Sequence, residues 1–195
     1  MVNTLNNKVQ DVLQAARSLF WKHGIRRITI QEICRRAGVS KTTFYKHFAN
    51  KQELVKVMLK SESRAAMERY RRIMDQDISY KEKVKHMIRL KQEQTHQLSR
   101  EFMRDMRQWD PEMERFFQQL IQSNMAVLLQ DFTQAQREGH IRKDISPAFI
   151  LYFLNHMFEM SNDERLTALY NTPQEVIMEL TNFLFYGVLA REDIS

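Results

Sequence analysis

The sequence predicts an all-α fold, and three observations predict it. Gly and Pro supply only four and three of the 195 residues, about a third of average usage, so the turn chemistry that hairpins require is scarce. Apolar residues recur at i, i+3, i+4 and i+7 along most of the chain. Capping residues stand just ahead of those periodic stretches. Charged residues at 28% and apolar residues at 43% are ordinary globular values and exclude a disordered chain.

Val9, Val12, Leu13, Ala16 and Phe20 share one helical face and Gly24 follows, so a helix is expected over about 5–23. Thr29 and Glu32 form a capping box ahead of Ile30, Ile33, Cys34 and Ala37, which predicts a short helix over about 29–37. Gly38 breaks it, Val39 offers a hydrophobic staple, and Ser40 caps a third helix reaching about His47, with Phe44 and Phe48 on its apolar side. Asn50 and Glu53 open a helix with no breaker before Met74, about 37 Å long at 1.5 Å per residue. Ser79 with Glu82, Asp110-Pro111, Ser146-Pro147 and Thr172-Pro173 with Glu175 mark further starts, and Gly139 marks a stop. Helices are therefore expected at about 79–97, 99–108, 110–138, 146–160 and 172–190, with 161–171 irregular.

The longest unbroken apolar run, Ala148–Leu154, has seven residues, where a membrane span needs about 20. Met1–Asn7 lacks the basic and apolar regions of a signal peptide. No membrane association and a cytoplasmic location are expected. The single cysteine, Cys34, fits a reducing compartment, and beside Ile30 and Ile33 it reads as a small core residue rather than a redox sensor.

Charge divides the chain. Residues 1–60 hold 12 Lys and Arg against 3 Asp and Glu, a net +9, while residues 61–195 hold 18 against 21, a net −3. A basic module suits a polyanion, whose condensed counterions Lys and Arg displace. Within it, helix 29–37, the turn Gly38-Val39-Ser40 and helix 41–47 have the lengths of a helix-turn-helix, whose second helix enters the DNA major groove. Lys41, Thr42, Thr43, Tyr45, Lys46 and His47 point outward on that second helix while Phe44 and Phe48 point inward. Lys51 stands in the first turn of the next helix, where a side-chain cation and free N–H groups converge and a phosphate fits. Residues 1–7 hold no Lys or Arg, so no basic arm in the minor groove is expected.

The stretch Val12–Phe20, then Gly24, then Thr29–Lys51 with Ala37-Gly38-Val39-Ser40-Lys41 and Phe44-Tyr45-Lys46-His47-Phe48, resembles the DNA-binding domain of the TetR family. Gly139–Asp144 followed by Ser146-Pro147 resembles, more weakly, the link into that family's dimerisation helices. Thr42, Phe44 and Cys34 depart from a common Gly, Leu and Ala; the first bears on operator sequence rather than on membership. The resemblance implies that Thr29, Thr43, Tyr45, His47 and Lys51 hold phosphates and that Lys41, Thr42 and Lys46 reach base edges. It also implies a dimer and an effector pocket in the rest of the chain.

Helix 146–160 carries Phe149, Phe153, Met157 and Met160 on one face and Leu151, Leu154 and Phe158 on another. Helix 172–190 does the same with Val176, Leu180, Phe183 and Leu184 against Met178, Phe185 and Leu189. Helices apolar all round need cover all round, and a second copy of the chain supplies it as an isologous dimer. The pocket candidates are Phe102, Met106, Trp109, Phe117, Met125, Phe153 and His156, with Glu159 beside His156. No His-Glu-x-x-His, Cys pair, Gly-rich phosphate loop or Gly-x-Ser-x-Gly is present, so neither enzyme activity, metal nor cofactor is expected. Asp75, Asp77, Asp163 and Glu164 read as solvated charge.

The expected architecture is an N-terminal three-helix helix-turn-helix DNA-binding domain, residues 1–50, joined by a long helix to a helical effector-binding and dimerisation domain, residues 51–195. The expected function is that of a homodimeric transcriptional repressor binding a palindromic double-stranded operator and released by a small apolar or amphipathic effector. The alternatives are the same fold answering to a protein partner, and a helical ligand carrier or enzyme, which would have no need of the +9 module.

Overall fold

The computed structural model describes the backbone of residues 2–189 and the side chains of residues 7–189 apart from Phe158. The side chains of residues 1–6, within the stretch 1–7 where no basic arm is expected, the side chain of Phe158 and residue 190 lie outside the described residues. Ten helices follow in order among the described residues: α1 (Val2–His23), α2 (Ile30–Ala37), α3 (Lys41–Tyr45), α4 (Lys51–Met74), α5 (Tyr80–Thr95), α6 (Arg100–Gln108), α7 (Pro111–Arg137), α8 (Pro147–Met160), α9 (Glu164–Thr167) and α10 (Pro173–Val188). The all-α expectation holds; the one β-type pairing among the described residues is an isolated antiparallel bridge, Ile141 to Leu189.

The helices build two compact units. The first takes residues up to Ala65 together with Gln97–Phe117, and the second takes Ala66–His96 and Gln118 onward. The first unit runs past residue 50 because the opening turns of α4 bury Leu54, Val55, Met58 and Leu59, and it takes in α6, which buries Phe102, Met103 and Met106. Helix α1 buries Val12, Leu13, Ala16 and Phe20, then stops at Gly24, whose φ of 81° lies in the left-handed region that an L side chain resists. The backbone N–H of Ser99, just before α6, donates to Trp21 O at 2.8 Å and ties the two helices together.

Helix α2 starts as its capping box dictates. Thr29 accepts the Glu32 N–H, and the Glu32 carboxylate accepts the Thr29 N–H at 2.8 Å. It ends at Gly38, where φ is 66°. Ser40 then caps α3 by accepting the Thr43 N–H at 3.0 Å. Helix α3 closes at Tyr45 rather than at His47, because the His47 N–H bonds back three residues to Phe44 O at 2.9 Å and the chain tightens into a turn. Asn50 caps α4 through the Glu53 N–H at 2.9 Å, and Glu53 returns to the Ala49 N–H, one residue outside the expected partner.

The second unit packs Tyr80, Val84, Met87, Phe132, Ala135, Ile141, Ile150, Leu184, Val188 and Leu189 into one apolar cluster. Tyr70 donates its hydroxyl to Asp131 at 2.8 Å, and burial pushes the phenols of both Tyr70 and Tyr80 above their ordinary range. Three expectations change here. Residues 161–171 contain α9, because Asp163 accepts the N–H groups of Arg165 and Leu166; it is a helix cap and not merely solvated charge. Ser146 makes no side-chain cap bond, so α8 starts on Pro147 at its first turn. Helix α10 ends at Val188, because Leu189 turns extended and pairs with Ile141, and Arg142 N–H bonds Val188 O at 3.0 Å.

Two glycines allow a graded test. A Cβ at Gly38 meets nothing within 4 Å, so Gly38→Ala should cost only the left-handed backbone penalty of about 1 kcal/mol. A Cβ at Gly24 meets Asp105 Oδ2 at 2.8 Å and Glu101 Cβ at 2.9 Å, so Gly24→Ala should cost distinctly more. Urea unfolding midpoints should fall in that order; equal midpoints would show that α6 does not crowd the loop.

Candidate nucleic-acid interface

Helix α3 has five residues, too few to stand alone in water. It is held by Phe44, which is fully buried, and by Phe48 just beyond it, whose ring centre lies 5.4 Å from that of Phe44. With those two anchors inward, Lys41, Thr42, Tyr45 and Lys46 are exposed. The Tyr45 ring stands edge-on to Phe44 at 5.3 Å and remains 54% exposed, so an aromatic face and a hydroxyl are offered outward. The α2–turn–α3 segment thus presents two ammonium groups and two hydroxyls within six residues.

The other sequence candidates sit differently. Thr43 is half-buried, its hydroxyl 2.9 Å from that of Ser40. Thr29 is exposed, but its hydroxyl donates to Glu32 at 2.7 Å. His47 is half-buried, and its Nε2 is enclosed without a hydrogen-bond partner among the described residues. Lys51 is turned inward: Nζ donates to Ile25 O at 3.0 Å, Arg26 O at 3.2 Å and Ile28 O at 2.9 Å, which occupies all three of its donors. Burial pushes the Lys51 ammonium below its ordinary value, opposed by the charges of Asp105 and Glu32. Cys34 is buried, and burial raises its thiol, which suits a core residue.

Three residues that sequence reasoning passed over, Asp105, Arg26 and Arg27, belong to this region. Asp105 is only 5% exposed, and its Oδ2 accepts the Arg26 N–H at 2.8 Å. Arg26 and Arg27 are exposed and, with Lys22, His23 and Arg104, line an open cleft that Glu101 and Asp105 also border. The signal for Asp105 was present: a carboxylate on the α6 face that carries Phe102 and Met106 at helical spacing, where a charge needs a partner.

The pocket candidates divide between the units. Phe102, Met106, Trp109 and Phe117 belong to the first, and Met125, Phe153 and His156 to the second. Trp109 is half-buried with the Lys51 ammonium 5.6 Å from its ring centre. Phe153 lies 6.0 Å from Phe183, centre to centre. His156 donates from Nδ1 to Tyr152 O at 2.7 Å, stacks on the Tyr152 ring at 4.1 Å, and brings Nε2 to 3.9 Å from Glu159.

The fold and this segment define a helix-turn-helix protein. Residues 12–58 match the family described as bacterial regulatory proteins, tetR family. It is 42% identical over 50 residues to the HTH-type transcriptional regulator TtgR of Pseudomonas putida, covering 26% of this chain and 24% of that one. It is 32% identical over 71 residues to the HTH-type transcriptional repressor KstR2 of Mycobacterium tuberculosis, covering 36% of each. The aligned part thus spans about a quarter to a third of these curated relatives. The fold as a whole is similar to that of the transcriptional regulator FadR from Bacillus subtilis in complex with stearoyl-CoA, with a TM-score of 0.70 over 92% of this chain and 98% of that one at 17% identity.

The capping box carries a pH dependence. Hydrogen bonds from the Thr29 backbone N–H and then its hydroxyl, with smaller help from Arg35 and Arg27, hold the Glu32 carboxyl below its ordinary value of 4.5. Folding lowers this pKa, so the contribution is present above the unfolded value and is lost as pH falls through the folded one. Glu32→Gln should therefore flatten the acid limb of thermal stability measured from about pH 6 to about pH 3. An unchanged acid limb would show that the box is not formed in solution.

Proposed function

We propose that this chain is a DNA-binding transcriptional repressor that acts as a homodimer on a palindromic operator and is released by a small apolar or amphipathic effector. The observation that carries the reading is α3, with Phe44 sealed inside and Lys41, Thr42, Tyr45 and Lys46 exposed around it. Lys41, Thr42 and Lys46 read base edges, Tyr45 and Thr43 contact phosphate, and Thr29 and His47 support the same backbone. Supporting the reading are the +9 of residues 1–60 and the names of the relatives matched over this segment.

For assembly, the supporting feature is an aromatic face on the second unit. Phe149 and Tyr152 of α8 are 60% and 62% exposed, and Phe183 and Tyr186 of α10 are 71% and 51% exposed. Four large rings left in water on neighbouring helices suit a two-fold, self-complementary contact. Dimerisation sets two copies of α3 to half-sites about 34–36 Å apart or a multiple of it. An effector that prefers the mis-spaced arrangement weakens operator binding by its differential affinity for the two states. The stearoyl-CoA of the FadR complex supports an amphipathic acyl compound as the class to test, with Phe102, Met106, Trp109, Phe117, Met125, Phe153 and His156 as the residues to probe.

Selection of bound fragments from the source genome, beside a random-sequence duplex, tests the reading. Specific fragments should be enriched, and Lys41→Ala and Lys46→Ala should each lower the salt slope of binding by about 0.9 if the side chain also neutralises a phosphate. Thr42→Gly should instead change the ranking among operator variants. Binding confined to the random duplex level would overturn the proposal.

Assembly has its own test. Phe183→Glu should give a folded monomer with much weaker operator binding, since an unpaired charge in a desolvated interface costs several kcal/mol. Leu184→Glu should unfold the second unit instead, because Leu184 is 5% exposed within its own core. Sedimentation showing an intact Phe183→Glu dimer would reject the α8/α10 face.

A further inference from the structure

The loop from Gly24 to Ile28 buries Ile25 and Ile28 in the first unit and fixes where α2 begins, but its backbone groups still need partners. Opposite charges hold it from two directions. From the first turn of α4, Lys51 Nζ donates to the carbonyls of Ile25, Arg26 and Ile28 at 3.0, 3.2 and 2.9 Å. From α6, Asp105 Oδ2 accepts the Arg26 N–H at 2.8 Å. Gly24 passes directly beneath that carboxylate, with no room for a Cβ against Asp105 Oδ2 and Glu101. The indole of Trp109, at the end of α6, backs the Lys51 ammonium at 5.6 Å.

Neither group is placed for a ligand. The three N–H bonds of the Lys51 ammonium are spent on carbonyls, and Asp105 is 95% buried, its 5% exposure leaving its charge to be answered by the Arg26 amide and by Lys51. Thr29, the cap of α2, follows the loop directly, and α3 follows α2 through the three-residue turn. A shift of the loop is therefore a shift of α3.

We infer that Asp105 and Lys51 are positioning residues for DNA binding: they clamp the 24–28 loop between α4 and α6 and so set the aim of α3, without touching the nucleic acid themselves. This rests on the reading of the chain as an operator-binding regulator, and it replaces a phosphate contact by Lys51 with a backbone-holding one. The segment Gln97–Phe117 that contains Asp105 is flanked in sequence by second-unit residues on both sides.

The test uses the full-length protein and three variants: Lys51→Met, which keeps the stem and removes the donors, Asp105→Ala, and Asp105→Asn, which keeps an acceptor for the Arg26 N–H. Circular dichroism checks folding. Affinity for a selected operator fragment and for a random duplex is measured across a salt series, and amide exchange is read at residues 24–28. Lys51→Met and Asp105→Ala should bind the operator about tenfold more weakly, as expected for a buried group robbed of its partner. Their preference over the random duplex should shrink, their salt slope should be unchanged, and loop exchange should be faster. Asp105→Asn should recover most of the affinity.

A salt slope lowered by about 0.9 in Lys51→Met would make Lys51 a phosphate contact and overturn the clamp. Native operator affinity in Lys51→Met or Asp105→Ala would overturn it as well, and so would an Asp105→Asn variant as weak as Asp105→Ala. Should Asp105→Ala unfold, Lys51→Met and Asp105→Asn decide by the same measures. A native chain that binds no duplex, with loop exchange still accelerated in the variants, strikes the regulator reading and leaves the clamp standing.

Discussion

The burial of Phe44 in a helix of five residues governs what the rest of that helix does. A helix so short gains too few internal hydrogen bonds to offset its nucleation cost, so its existence depends on docking. Phe44 and Phe48 supply the docking, Ser40 satisfies the N-terminal end, and Gly38 lets the preceding helix stop within three residues of it. Once those demands are met by the inward side and the ends, the outward positions carry no structural duty. Lys41, Thr42, Tyr45 and Lys46 stand at those positions.

What was legible in the sequence was what the chain decides locally. The Thr29–Glu32 box, the Ser40 cap and the Asn50 cap each involve a donor and an acceptor three residues apart, and each forms as read. The early close of α3 was not legible, because it turns on whether an N–H bonds three or four residues back, a difference of fractions of a turn. The Asp163 cap escaped for a related reason: a lone acidic residue in a polar stretch has the same composition whether it caps a helix or faces water. Contacts across long sequence separations cannot be paired from sequence, even where one partner, such as Asp105 on an apolar helix face, shows that it needs one. Lys51 meets its carbonyls 23 to 26 residues back, and Asp105 meets Arg26 across 79.

The helices that are apolar all round show how periodicity undercounts destinations. On α10, Phe183 and Leu184 are adjacent and equally apolar, yet one is 71% exposed and the other 5%. Leu184 joins Val188 and Ile150 in the core of the second unit, while Phe183 faces outward beside Phe153. Sequence identifies that both faces need cover, but not which face the chain covers for itself. The distinction matters energetically, since a charge on the first face breaks a core and a charge on the second leaves the chain folded.

Net charge needs the same sorting before it speaks of a partner. Of the 12 cations in residues 1–60, several are committed within the protein. Arg17 lies 3.3 Å from Glu62 with its guanidinium 4.1 Å from the Trp21 ring centre. Arg36 donates to Ser18, Lys56 pairs with Glu112, and Lys51 holds the loop carbonyls. A cation already desolvated or bonded releases fewer counterions from a polyanion than one held in water, so it adds less to the salt dependence of binding. The formal +9 thus overstates the charge free to meet a polyanion, of which the exposed ammonium groups of Lys41 and Lys46 are part. Among the committed cations, Lys51 alone meets backbone here, bonding the loop that leads into α2, while Arg17, Arg36 and Lys56 meet side chains.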